Sequence, residues 1–136
     1  MLKADMISLS NVRLSHAKED LLTATNNYSN KLFRAADNRL YYAVFHAIRA
    51  LLALDGVDFS THSLVIGYFN QHYVKTNIIE RSLGKAVKLI EKSRNNSDYN
   101  DLHVPDPVVT KMNIEFAQQL LAAIEQYIIQ RIKQAK

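Results

Sequence analysis

A chain of 136 residues that is 48% apolar and 22% charged is long enough for one domain with a sizeable core, and too apolar for a disordered segment. It has no cysteine, which excludes disulfides, zinc–thiolate sites and thiol catalysis. Three glycines and two prolines are few for an all-β protein, no apolar run approaches the roughly 18 residues of a membrane span, and a net charge of +4 permits contact with nucleic acid without requiring it. The opening residues Met1 to Ile7 lack the apolar run of a secretory signal, so a cytoplasmic protein is expected.

Five helices are expected and no strand. The first spans about Ser10 to Tyr28, with an apolar stripe of Leu14, Ala17, Leu21, Ala24 and Tyr28 at three- and four-residue steps. Asn26, Asn27, Ser29 and Asn30 form a polar break. The second helix spans about Lys31 to Leu54 and ends at Asp55-Gly56, where the glycine suits the left-handed residue after a helix. A loop through Ser60 and Thr61 leads to a short third helix carrying Leu64, Val65, Tyr68, Phe69 and Tyr73. Asn77 and Glu80 have the spacing of a capping box for a fourth helix, which buries Ile79, Leu83, Ala86, Val87 and Ile90. The polar run from Asn95 to Pro105 reads as a loop. Asp106 and Pro107 then supply a cap and a first helical residue for a fifth helix. Met112, Phe116, Leu120, Ala123 and Tyr127 line one stripe of it, widened by Leu121, Ile124, Ile128 and Ile132. Long helices with short loops favour an antiparallel bundle. No repeat or linker divides the chain, so residues 1–136 are expected to form a single helical domain. The apolar surface of the second and fifth helices exceeds what a small bundle hides easily, and a homodimer is expected.

The second helix is apolar on nearly every side, yet it holds Arg39 and His46. Seven residues are almost two turns, so both project from one face, about 10 Å apart along the axis. Tyr42 lies between them and Arg49 one turn beyond. A strip of Arg, Tyr, His and Arg suits an anion: guanidinium offers phosphate a fork of donors, and imidazole moves a proton near neutral pH. Such a pair can serve attack of a 2′-hydroxyl on the adjacent RNA phosphodiester without a metal. The bland alternative is an Arg39 that meets a carboxylate across the bundle and a His46 that bonds to a tyrosine.

Arg81, Lys85, Lys88 and Lys92 fall on one face of the fourth helix, where they either track a phosphate backbone or form an ordinary solvated face. His62 follows Thr61 at a helix start and suits a cap, and His72 sits near Tyr73. His16 and His103 have no partners at metal-ligand spacing. No metal-binding motif, glycine-rich phosphate loop or paired carboxylates occur, so no metal or cofactor is expected.

The stretch Asn38 to Leu52, followed by Thr61-His-Ser63, Tyr68 to Lys75 and Ser97-Asp-Tyr99, resembles the HEPN family over roughly Val12 to Ile129. The resemblance implies an all-α bundle that dimerises, with the Arg and His of an Arg–x(4–6)–His motif facing their symmetry mates across a cleft. Here those residues are Arg39 and His46, at the upper limit of the spacing. Many members are metal-independent endoribonucleases and toxins of toxin–antitoxin pairs, partnered by a minimal nucleotidyltransferase; others bind RNA or nucleotide without catalysis. The resemblance also brings in Asp98 and Tyr99, on a loop expected to close over the second helix, with Asp98 pairing with Arg39 or Arg94. Two positions depart from the pattern. Leu40 stands where active ribonucleases usually carry a polar residue after the Arg. Ile48 stands where one toxin subgroup carries a tyrosine modified by the partner, so adenylylation at that position is not expected.

Two functional readings follow. In the first, Arg39 and His46 catalyse RNA cleavage, with Asn38, Tyr42, Arg49, Asp98 and Tyr99 lining the cleft and the basic face of the fourth helix holding RNA. In the second, the chain is a non-catalytic nucleotide- or RNA-binding module that docks a nucleotidyltransferase, with Arg39 as an anion ligand. A purely structural pair at a dimer interface is the third, weaker reading.

Overall fold

The computed structural model describes residues 2–135. Among them are five α-helices and no strand: α1 (Ala4–Ser29), α2 (Phe33–Asp55), α3 (His62–Phe69), α4 (Arg81–Tyr99) and α5 (Pro107–Gln134), with one π-turn at Asn70–Val74 after α3. They form the expected antiparallel bundle. Helix α2 is its axis, packed against α1, α3, α4 and α5. Its residues Leu40, Tyr41, Val44, Ala47, Ile48, Leu51, Leu52 and Leu54 sit in the core with Leu14 and Ala17 of α1, Val65 and Phe69 of α3, Val87 and Ile90 of α4, and Ile114, Ala117, Leu121 and Ile124 of α5. The apolar surface of α2 is thus consumed within one chain. It supplies no surplus that argues for a dimer.

The ends of α2 follow the sequence signals. Lys31, at φ +60°, breaks the chain before it, and Gly56, at φ +70°, closes it. Thr61 caps α3 by accepting from the Leu64 amide at 3.4 Å, and Asp106 caps α5 by accepting from the Val108 amide at 2.9 Å, with Pro107 in the first turn.

Four expectations need correction. Helix α1 begins at Ala4 rather than Ser10, and runs through the polar break, where Ser29 Oγ and Asn30 Nδ2 donate back to the carbonyls one turn earlier. Asn77 does not cap α4. It takes a left-handed φ of +62° that turns the chain after the π-turn, and α4 starts only at Arg81, after Glu80, with no side-chain cap. The run Asn95–Tyr99 is not a loop but the last turns of α4. Its polar composition is outweighed by contacts that only the folded chain provides, namely Ser97 to Asp37 and Asp98 to Arg94 and Asn38. On α5 the buried stripe is Ile114, Ala117, Leu120, Leu121, Ile124 and Ile128, whereas Met112 faces out.

Asp37 is a buried carboxylate on α2, 3% exposed. It accepts from Ser97 Oγ at 2.6 Å and from Thr110 Oγ1 at 2.9 Å, which ties α2 to the end of α4 and the start of α5. Burial pushes its pKa above the ordinary aspartate value, while the two hydroxyl bonds and His103 pull it back. Asp37→Ala leaves the buried Ser97 hydroxyl without its acceptor and Thr110 Oγ1 with only the Asp106 carbonyl at 3.3 Å, and should cost about 1–3 kcal/mol in a denaturant melt. Asp37→Asn should cost much less. Because the folded-state pKa is raised, the native chain should gain stability relative to Asp37→Asn as pH falls toward the usual aspartate range, and lose it as pH rises through the raised value.

Candidate functional site

Helix α2 is covered on all but a narrow strip. Between Ala36 and Leu54 the residues that are not buried are Asn38, Arg39, Tyr42, His46 and Arg49, all half-buried. Arg39 is the better exposed of the charged pair, with 39% of its side chain open against 25% for His46. The two do share one face, as their spacing requires.

What joins them is Asp20 of α1. Its carboxylate lies 3.4 Å from Arg39 Nη1 on one oxygen and 3.6 Å from His46 Nε2 on the other. The first distance is a weak charge-assisted bond; the second is beyond hydrogen-bond range. Asp20 was missed in the sequence. It stands beside Leu21, on the edge of the stripe that α1 buries, and that marginal placement was the available signal.

Asn38 fixes the other side of Arg39. Its Oδ1 accepts from Arg39 Nε at 3.1 Å and Nη2 at 2.9 Å, while its Nδ2 donates to Asp98 Oδ2 at 2.9 Å. Asp98 in turn lies 2.9 Å from Arg94 Nε, so of its two expected partners it takes Arg94. Arg94 donates to the Tyr42 hydroxyl at 3.1 Å, and its guanidinium lies over the rings of Tyr41, Tyr42 and Tyr99 at 4.9, 5.5 and 5.3 Å. The Arg39 guanidinium also lies over the Tyr42 ring, 5.0 Å from its centroid. Tyr99 is 72% exposed beneath Arg94 and does not fold over the cleft as part of a lid. Beside Arg39 an open groove of about 560 Å³ is lined by Thr23, Asn27, Arg34, Asn38, Ser97 and Asp98, among others.

Arg49 is diverted. Its Nη2 donates to Asp58 at 2.9 Å, and Arg13 donates to the same carboxylate at 3.1 Å and to the Arg49 carbonyl at 3.0 Å. It therefore anchors the loop after α2. The basic residues Arg81, Lys85, Lys88 and Lys92 are all exposed, with no carboxylate partner among the described residues. They occupy the outward face of α4, roughly opposite the side that carries Arg94 toward α2, so the fold does not bring them to the Arg39 strip. Leu40 and Ile48 are core residues, 1% and 0% exposed. Both departures from the family pattern thus fall on positions that point away from the polar strip.

Burial lowers the His46 pKa; Asp20 opposes this, and His16, Arg49 and Arg39 reinforce it. The imidazole is therefore neutral at neutral pH and able to accept a proton. Its Nδ1 is buried without a partner among the described residues, and its Nε2 lies beside Asp20 without a hydrogen bond to it. No group of three or more His, Asp or Glu able to hold a metal occurs among the described residues.

The HEPN domain model matches residues 10–127. The chain belongs to the HEPN family. A UPF0332 protein of Thermotoga maritima is 36% identical over 119 residues, which is 88% of this chain and 89% of that protein. A Methanocaldococcus jannaschii protein described as "Putative toxin" is 34% identical over 119 residues, 88% of this chain and 82% of its own. The crystal structure of TT1696 from Thermus thermophilus superposes with a TM-score of 0.71 at 18% identity, covering 86% of this chain and 96% of that one, and so shares the fold. Among the described residues, no helix of this HEPN protein is long and apolar enough to cross a membrane.

Since Asp20 is the group that raises the His46 pKa, Asp20→Asn should lower it further. The His46 ring resonances followed by NMR against pH should show a midpoint below that of the native chain. An unchanged or higher midpoint would show that Asp20 does not act on His46.

Proposed function

We propose that this HEPN protein is a metal-independent endoribonuclease of the toxin type, acting in the cytoplasm. The observation that carries the reading is the pairing on one strip of an accessible, held guanidinium, Arg39, with a neutral imidazole, His46. His46 Nε2 takes the proton of an RNA 2′-hydroxyl, and no hydrogen bond to Asp20 has to break first. The 2′-oxygen attacks the adjacent phosphorus and the P–O5′ bond breaks. The leaving 5′-oxygen takes a proton from the imidazolium or from water, so the products are a 2′,3′-cyclic phosphate and a 5′-hydroxyl. Arg39 holds the charge that builds on the phosphate, in place because Asn38 and Tyr42 brace it. Asp98 acts through Asn38, and Tyr99 borders the Arg94 end of the cleft. Arg49 serves the loop after α2. The outward face of Arg81, Lys85, Lys88 and Lys92 adds salt-dependent phosphate contact only.

A second reading draws on a different observation. Neither His46 nitrogen is freely open, since Nδ1 is buried and Nε2 faces Asp20. A binding module would need only Arg39 and the groove that Arg34 shares with it, holding RNA or a nucleotide while a minimal nucleotidyltransferase docks beside it as antitoxin. Membership in the HEPN family supports pairing of two copies through the α2 strip in either reading.

Mixed RNA incubated with the protein in EDTA should be cut, and His46→Ala should reduce the rate about 10²–10⁴-fold. Intact RNA at high protein concentration sinks the ribonuclease. In that case Arg39→Ala should still weaken binding of labelled RNA or ATP by about tenfold or more, and unchanged affinity would remove the anion site as well.

A further inference from the structure

Two side chains at the rim of the strip have no part in the chemistry above: His62, the first residue of α3, and Tyr41, buried beneath it. Tyr41 is 1% exposed, and its hydroxyl lies 2.9 Å from His62 Nδ1. Burial foremost, then Glu91, pushes the Tyr41 pKa up to about 12, so the hydroxyl keeps its proton at neutral pH. No other acceptor for that proton is found among the described residues, so Tyr41 donates it to Nδ1. With Nδ1 as the acceptor, the ring N–H lies on Nε2.

His62 is an exposed residue, yet the orientation of its ring is held. It rests on Phe45 with 4.1 Å between centroids and stacks at 5.8 Å on Tyr41. The Tyr41 hydroxyl takes Nδ1 and Phe45 lies closest against the ring, while Nε2 of this exposed residue has no hydrogen-bond partner among the described residues. Tyr42 is the common neighbour, 6.2 Å from the His62 ring, 6.2 Å from the His46 ring and 5.0 Å from the Arg39 guanidinium. His62 and the Arg39–His46 pair therefore flank the same tyrosine.

We propose that His62 is a nucleobase subsite: the base of an unpaired nucleotide next to the phosphate at Arg39 stacks on its ring, and Nε2–H donates to an acceptor on that base. The chemistry matches the usual recognition of single strands, in which bases splay out onto aromatic or imidazole rings. A phosphate alone would need only Arg39; a ring held in orientation, with its N–H on Nε2, discriminates a flat heterocycle beside it. A duplex, whose bases are stacked on each other, cannot use this subsite.

The inference rests on the RNA-binding reading of the strip, and the test separates the two. The full chain is titrated with a short single-stranded RNA, 2′-O-methylated throughout so that it cannot be cleaved. His62→Ala should weaken binding about tenfold or more, and His62→Phe, which keeps a ring on Phe45, should recover most of the loss. The His62 ring protons of the native chain should move upfield as RNA is added. The Ala effect should vanish on a probe made abasic at the nucleotide that occupies the site. If the native chain binds and Arg39→Ala does not, yet His62→Ala binds as tightly as the native chain, the subsite is wrong and the anion site stands. If His62→Phe is as weak as His62→Ala in a chain that melts normally, stacking is wrong. If the native chain does not bind the RNA at all, both readings fall together.

Discussion

Everything in this molecule follows from the burial of α2. A helix with apolar residues on nearly every side must be surrounded, and a chain of this size has four other helices with which to do it. Helices α1, α3, α4 and α5 close around it until only one strip is left. Away from the ends of α2, where Arg34 and Asp55 reach solvent, that strip is where a charge keeps contact with water. Arg39 and His46 occupy it because elsewhere on the helix each would stand unpaired in the core, at a cost no single contact would offset.

The strip is narrow enough that its groups control one another. Asp20 touches both members of the pair and acts differently on each. It gives Arg39 a countercharge, and it partly opposes the burial that would otherwise press His46 further toward the neutral form. The same carboxylate competes with any anion that approaches. Asn38 resolves part of this conflict, because its carbonyl oxygen orients the Arg39 guanidinium without adding charge and its amide hands the restraint on to Asp98 and Arg94. Tyr42 is shared, with the Arg39 guanidinium over its ring and Arg94 bonded to its hydroxyl. The side chains of the strip are held in place by one another before any ligand arrives.

Several departures from the sequence expectation share one physical cause. Polar residues at helix ends were read by their own composition, whereas the folded chain gives them partners far away in sequence. Ser97 and Asp98 remain helical because Asp37, Asn38 and Arg94 receive them. Asn77 has the spacing of a cap, but the π-turn before it demands a left-handed residue, and asparagine is among the few side chains that take that conformation readily. Arg49 lies on the face the periodicity assigns to it, and there Asp58 of the following loop pairs with it and with Arg13 of α1 together.

The amino-acid pattern alone determined that the chain is an all-α bundle, that α2 is its buried axis, and that Arg39 and His46 share a face. Those properties are local and periodic, set by 3.6 residues per turn and by where apolar side chains recur. Residues Asn38 to Leu52 also carried the family likeness. Only the tertiary structure decided which charges meet. Asp20 reaches the pair, Tyr41 locks His62, and the basic face of α4 turns away, because electrostatic and hydrogen-bond partners are chosen by distance in space, which a one-dimensional pattern does not encode.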